Sequence, residues 1–202
     1  MSTQREFWNE RFGREGYFYG IHPNLYLKSH IDLLPSSRSL LFLGEGEGRN
    51  AIYAASLGHT VTALDASDIG LAKTAMLAKE QNLEVALIHT DLELWNPAEF
   101  YDAIMCSFLH LNEPLRTEVF EKAIASLNPA GVFVGEFFSI DQLPKTTGGP
   151  KDETLLYTAE ELRSILESAP CSIIELYEMD TDLNEGRGHV GIASVVRMAV
   201  RT

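Results

Sequence analysis

The stretch Leu40-Leu41-Phe42-Leu43-Gly44-Glu45-Gly46-Glu47-Gly48-Arg49-Asn50 decides the fold. Four apolar residues run straight into three alternating glycines. So short an apolar run reads as a buried parallel strand, and the glycines as a strand-to-helix turn. A helix-compatible segment, Ala51 to Leu57, follows at once. Glycine has no Cβ, so a ligand can approach this backbone closely, and the N–H groups of the next helix point at whatever sits there.

Composition narrows the partners. The chain has 202 residues, 45% of them hydrophobic, and a formal net charge of -13. That length suits one α/β domain with a sizeable core. The acidic balance argues against nucleic acid or an anionic membrane surface as partner. Cys106 and Cys171 lie beside or within apolar runs and read as thiols in a reducing compartment, with no disulfide and no metal site. Met1 to Arg11 is polar and charged, and no apolar run approaches the roughly 20 residues of a membrane span. The expected location is the cytoplasm and the expected state a monomer or weak homodimer.

Outward from the glycine turn, strands alternate with helices. His59 to Leu64 is a second strand ending in Asp65; Ser67 caps a helix from Ile69 to Gln81; Glu84 to His89 and Asp102 to Ser107 are strands three and four. Asn112 and Pro114 open a helix to Leu127. Asn128 to Gly131 is a turn and Val132 to Phe138 a fifth strand. This order implies βαβ units and a mostly parallel sheet, with helices on both faces. Ser139 to Tyr157 is a long loop, and Thr158-Ala159-Glu160-Glu161 a capping box. Cys171 to Asp180 and Val190 to Val200 form an antiparallel hairpin across the turn Thr181 to His189, giving seven strands with the last antiparallel. Residues 1–37 precede the sheet as a helical cap, with helices expected over Thr3 to Phe12 and from Pro23 to Leu33. Between them, Tyr17, Tyr19 and His22 sit on a glycine-hinged segment that reads equally as a lid over a ligand or as an arm packed on residues 38–202.

In open α/β sheets ligands bind outside the carboxyl ends of the strands. The glycine turn, Asp65, Asp91 and Ser107 to His110 all fall there, and a carboxylate such as Asp65 can accept both hydroxyls of a ribose. The pattern implies a nucleoside-containing ligand. A dinucleotide fingerprint is G-x-G-x-x-G, and its third glycine position is occupied here by Arg49. Glu45 and Glu47 also suit a cationic or zwitterionic ligand better than a diphosphate.

Leu43 to Ala51, Val61 to Ser67, Asp91-Leu92, Phe108 to Leu111 and Leu127 to Gly131 together resemble the class I S-adenosylmethionine-dependent methyltransferases. Within them the chain is most similar to the small-molecule branch of tellurite-resistance and thiopurine methyltransferase-like proteins. The resemblance implies a seven-stranded Rossmann-like sheet and S-adenosyl-L-methionine as cofactor. Gly44, Glu45, Gly46, Gly48 and Arg49 would meet its methionyl part, Asp65 its ribose, and Ala66, Ser67, Asp91 and Leu92 its adenine. Ser107 and His110 would line the methyl-transfer side, with His110 as base and Tyr19 closing over the cofactor. Arg187, His189 and Tyr17 would meet a small substrate, a thiol or a chalcogen oxyanion such as tellurite. Many members carry an acid two positions before the first glycine, where this chain has Phe42. The rival readings are a non-catalytic binder of the same cofactor, an NAD(P)-dependent oxidoreductase, and a methyltransferase acting on protein or nucleic acid.

Overall fold

The computed structural model describes residues 4–202. Its centre is one seven-stranded sheet in the order β3-β2-β1-β4-β5-β7-β6. Strands β1 (Ser39–Leu43), β2 (Thr60–Asp65), β3 (Ala86–His89), β4 (Tyr101–Ser107) and β5 (Leu127–Phe138) pair in parallel. Strand β7 (His189–Arg201) runs antiparallel to both β5 and β6 (Ser172–Glu185). The carboxyl end of β6 therefore lies on the same side as those of β1 to β5.

Side chains alternate across a strand, which divides β1 between two cores. Leu41 and Leu43 face α5 (Glu113–Ala125) and α6 (Ala159–Ser168), joining Val119, Phe120, Leu162 and Leu166. Leu40 and Phe42 face the other way, toward α2 (Leu25–Ile31), α3 (Arg49–Ser56) and α4 (Asp68–Glu80), joining Leu27, Ala51 and Leu71. A central strand covered on both faces needs this unbroken apolar run. Phe42 is wholly buried there, so the position of the family's acid is core in this chain.

Several boundaries differ from expectation for identifiable reasons. The first helix, α1, is Gln4–Phe12, and Thr3 lies outside the described residues. Helix α2 begins after Asn24, whose side chain accepts from Leu27 N, and not at Pro23. The expected turn at Asn128 to Gly131 is a bulge within β5: Tyr101 pairs with Leu127 but Ala103 with Val132, and Ala130 takes φ 64°. The loop after β5 contains two short 3₁₀ turns, Ile140–Gln142 and Glu153–Leu155. Of the capping box, Thr158 does cap Glu161 N, but the Glu161 carboxylate turns to Arg116 instead. The final hairpin is longer than predicted. Thr181 to Glu185 pair with Ala193 to His189, leaving only Gly186-Arg187-Gly188 as the turn.

Candidate functional site

The glycine turn needs left-handed backbone. Gly46 sits at φ 64° and Gly48 at φ 92°. A Cβ on Gly46 would lie 2.8 Å from Phe12 Cζ, and one on Gly48 2.6 Å from Thr74 Oγ1. The glycines thus admit α1 and α4 as well as any ligand.

Three buried acids organise this turn. Glu45 accepts from Asn50 N at 2.7 Å and Ala51 N at 2.8 Å, so it caps α3 where Gly48 cannot. Burial pushes its carboxyl up to about 7 against those bonds. Glu47 accepts from Phe18 N at 2.6 Å and from Lys73 Nζ at 2.7 Å, which fastens the segment before α2 to α4. Asp65 accepts from Gly46 N at 2.8 Å and Ser67 N at 2.7 Å, one per oxygen. Burial raises it to about 6. Each carboxylate oxygen has a second lone pair, so both remain able to accept a hydroxyl.

Beside them runs a buried polar chain between distant segments. Arg49 Nη2 reaches Glu185 Oε2 at 2.9 Å, and His189 Nδ1 meets the same oxygen at 2.9 Å. Asn24 Nδ2 donates to Glu185 Oε1 at 3.0 Å and to Glu136 Oε2 at 2.5 Å, and Arg197 Nε holds Glu136 at 2.7 Å. Burial works against Glu185, but Arg49 and His189 hold it down at about 2. Arg49 Nη1 is buried with no partner among the described residues.

Of these groups, Glu45, Glu47, Asp65, Arg49 and His189 border one cavity of about 150 Å³ at the carboxyl ends of β1, β2 and β4. That is many times the room a single water needs. Of the residues expected to bind a ligand, Gly44, Glu45, Gly46, Arg49, Asp65, Ala66, Asp91, Leu92, Ser107, His110, Tyr19 and His189 all line it. Gly48 lies one position outside and starts α3. Ser67 is wholly buried as the α4 cap, donating to Asn9 Oδ1 at 2.5 Å.

Three expected residues lie elsewhere. Arg187 Nη2 donates to Glu15 O at 2.6 Å, tying the hairpin turn to the N-terminal segment outside the cavity. Tyr17 packs beside Ile52 and Leu77 with Lys73 Nζ 5.7 Å from its ring centre. His22 is exposed. Tyr19 does reach the cavity, its hydroxyl accepting from Arg11 Nη1 at 2.7 Å. His110 lies against Trp8 with ring centres 5.3 Å apart and the planes tilted by 45°; burial, His189 and Arg11 drop it to about 3.

Sequence reasoning missed Trp8, Phe12, Asn50 and Glu185. Trp8 and Phe12 carried a signal, since α1 showed an aromatic face. Glu185 carried only the polar run Thr181 to Glu185 at the end of the hairpin, which was read as loop.

The fold is that of the class I methyltransferases, and residues 40–131 match the family model of a methyltransferase domain. The structure is similar to TehB from Haemophilus influenzae, with a TM-score of 0.74 and 18% identity over 98% of this chain. The chain spans 66% of that TehB chain. It is similar to the N-methyltransferase NodS from Bradyrhizobium japonicum in complex with S-adenosyl-L-homocysteine, with a TM-score of 0.71, 12% identity, and 98% and 97% of the two chains covered. Magnesium protoporphyrin IX methyltransferase from Synechocystis gives a TM-score of 0.68, 17% identity, and 98% of each chain. A search of the curated proteins finds no match. Among the described residues no helix is long and apolar enough to cross a membrane, and no group of acids, histidines and cysteines is arranged to hold a metal ion.

Proposed function

We propose that this protein transfers the methyl group of S-adenosyl-L-methionine to a small molecule. One observation carries the reading: Asp65, the glycine turn and Arg49 border a single cavity. They match the three parts of that cofactor. Asp65 has two lone pairs for the ribose hydroxyls. The glycine backbone admits the methionyl chain, and Arg49 would hold its carboxylate. Leu92 and Asp91 would meet the adenine. Glu45 is committed to Asn50 and Ala51, so the ammonium falls to main-chain carbonyls of the glycine turn.

When bound, the cofactor supplies an already activated sulfonium methyl. The protein's part is then to align the acceptor and exclude water, which can lower a barrier by roughly 7–11 kcal/mol. Trp8, Tyr19 and Phe108 line the same cavity and suit that task. Thiols and chalcogen oxyanions such as tellurite are the first acceptors to try. The test is calorimetric titration with adenosylmethionine, adenosylhomocysteine and NAD. Binding of the first pair but not NAD is expected; binding of neither would overturn the proposal. Transfer of labelled methyl to any member of a thiol, selenite and tellurite panel, above a protein-free control, rejects the non-catalytic reading.

A further inference from the structure

Glu185, at the end of β6, and His189, at the start of β7, face each other across the three-residue turn. His189 Nδ1 lies 2.9 Å from Glu185 Oε2. An ionised carboxylate only accepts, so the imidazole proton sits on Nδ1 and the lone pair on Nε2. Glu185 is held ionised by Arg49 on the same oxygen and Asn24 on the other. Phe108, Phe138 and Tyr19 pack round the imidazole at 4.5–5.0 Å between ring centres and fix its plane. Nε2 has no partner among the described residues, yet unlike His110 Nε2 it is not sealed off, and the residue borders the cavity. The same lining presents the aromatic and apolar side chains of Trp8, Tyr19, Phe108, Leu115 and Leu155, against which a flat compound can stack.

We infer that His189, oriented by Glu185, is the proton acceptor for methyl transfer, and that the acceptor molecule is a flat apolar compound presenting a hydroxyl or thiol. This rests on the methyltransferase reading above. As the acceptor's oxygen or sulfur bonds to the methyl carbon, its own proton passes to Nε2. The electron pair of the broken carbon–sulfur bond stays on the donor sulfur, which becomes a neutral thioether. The imidazolium left behind faces Glu185, which balances its charge. Glu185 is a positioning residue here, and His189 the catalytic one. His110 is the poorer base, because its buried ring stands near Arg11 and His189 with no acid to balance a proton. An oxyanion such as tellurite carries no proton for His189 to take.

The test uses the full chain with adenosylhomocysteine bound. Phenol and anisole, in which a methyl group replaces the hydroxyl hydrogen, are titrated as probes. Phenol is expected to bind at least tenfold tighter, and His189→Phe to abolish the preference. Nitrogen NMR of His189 is expected to place the proton on Nδ1 in the wild type and to show a mixed tautomer in Glu185→Gln, a change that loss of packing alone does not produce. Should His189→Phe fail to fold, the wild-type probe ratio and tautomer decide. Equal binding of the two probes, binding of neither, a proton on Nε2, or methyl transfer to tellurite but to no phenol or thiol would each overturn the assignment. Failure of adenosylhomocysteine itself to bind, measured without any probe, overturns instead the reading on which it rests.

Discussion

Asn24 ties the start of α2 to two buried acids, Glu136 and Glu185, and replacing it tests the buried polar chain directly. It is 1% exposed. Its Oδ1 caps α2 at Leu27 N, and its Nδ2 donates to both Glu136 and Glu185. An N-cap contributes about 1 kcal/mol. A hydrogen bond to a charged group contributes about 1.5–3 kcal/mol, and both lost here leave buried carboxylates short of a donor. Asn24→Ala should therefore cost about 4–7 kcal/mol, toward the lower value because Arg197 and Arg49 still hold the two acids. Asn24→Ser keeps a cap and should cost less. Asn24→Asp keeps the cap and the shape but sets a third carboxylate against two others, so it should cost more than Asn24→Ser. That carboxyl would be raised in the folded state, so the folded protein binds its proton more tightly than the unfolded chain. The deficit of the Asp variant should thus shrink as pH falls. Urea unfolding followed by far-ultraviolet dichroism, at pH 7.5 and 5.5, measures all three relative to wild type. A drop of about 8 °C or more in Tm should accompany the Ala variant, at about 2–4 °C per kcal/mol for a chain of this length. Wild-type stability within 1 kcal/mol in Asn24→Asp at pH 7.5 would refute the network.

Cofactor affinity should fall as pH drops through about 6, because protonated Asp65 loses the charge that both ribose hydroxyls would meet; calorimetry in Asp65→Asn should show weak binding without that pH step. Arg49→Met should weaken adenosylhomocysteine by about tenfold or more while leaving adenosine nearly unchanged, since only the former carries the carboxylate; equal losses for both would remove Arg49 from that role. Trp8 lines the cavity while Trp95 lies in the core, so ligand binding should alter tryptophan emission in the wild type and not in Trp8→Phe. Arg187→Ala should change stability by less than about 0.5 kcal/mol and leave the acceptor KM unaltered, as its guanidinium bonds an exposed carbonyl outside the cavity.

The ends of β1, β2 and β4 were legible because local rules govern them. An apolar run into glycines, and an alternating strand ending in an acid, each declare their structure within ten residues. The same locality explains why Ser67 and Glu45 carried two meanings. Their side chains were read toward a ligand, yet a helix start claims any nearby oxygen, and here α4 took Ser67 and α3 took Glu45. Arg187 failed for the opposite reason. A turn in sequence says that a side chain is exposed, but not which way a twisted hairpin aims it.

What no window could reveal is the pairing of Arg49 with Glu185, 136 residues apart, through a hairpin whose register was misjudged. Thr181 to Glu185 sets polar residues on both sides of Leu183, and without an apolar alternation it looked like loop. The polarity belongs to the site. Where β6 and β7 run past the rest of the sheet, Glu185 and His189 point to the acids and cations of the glycine turn instead of to a core. Reading such residues as strand would have needed the pairing partner first, since β7 supplies the register that turns Glu185 toward Arg49. The departure from apolar alternation was therefore the signal: a long hairpin that turns polar and buried at the ligand end of the sheet is built to bring charged groups to the site.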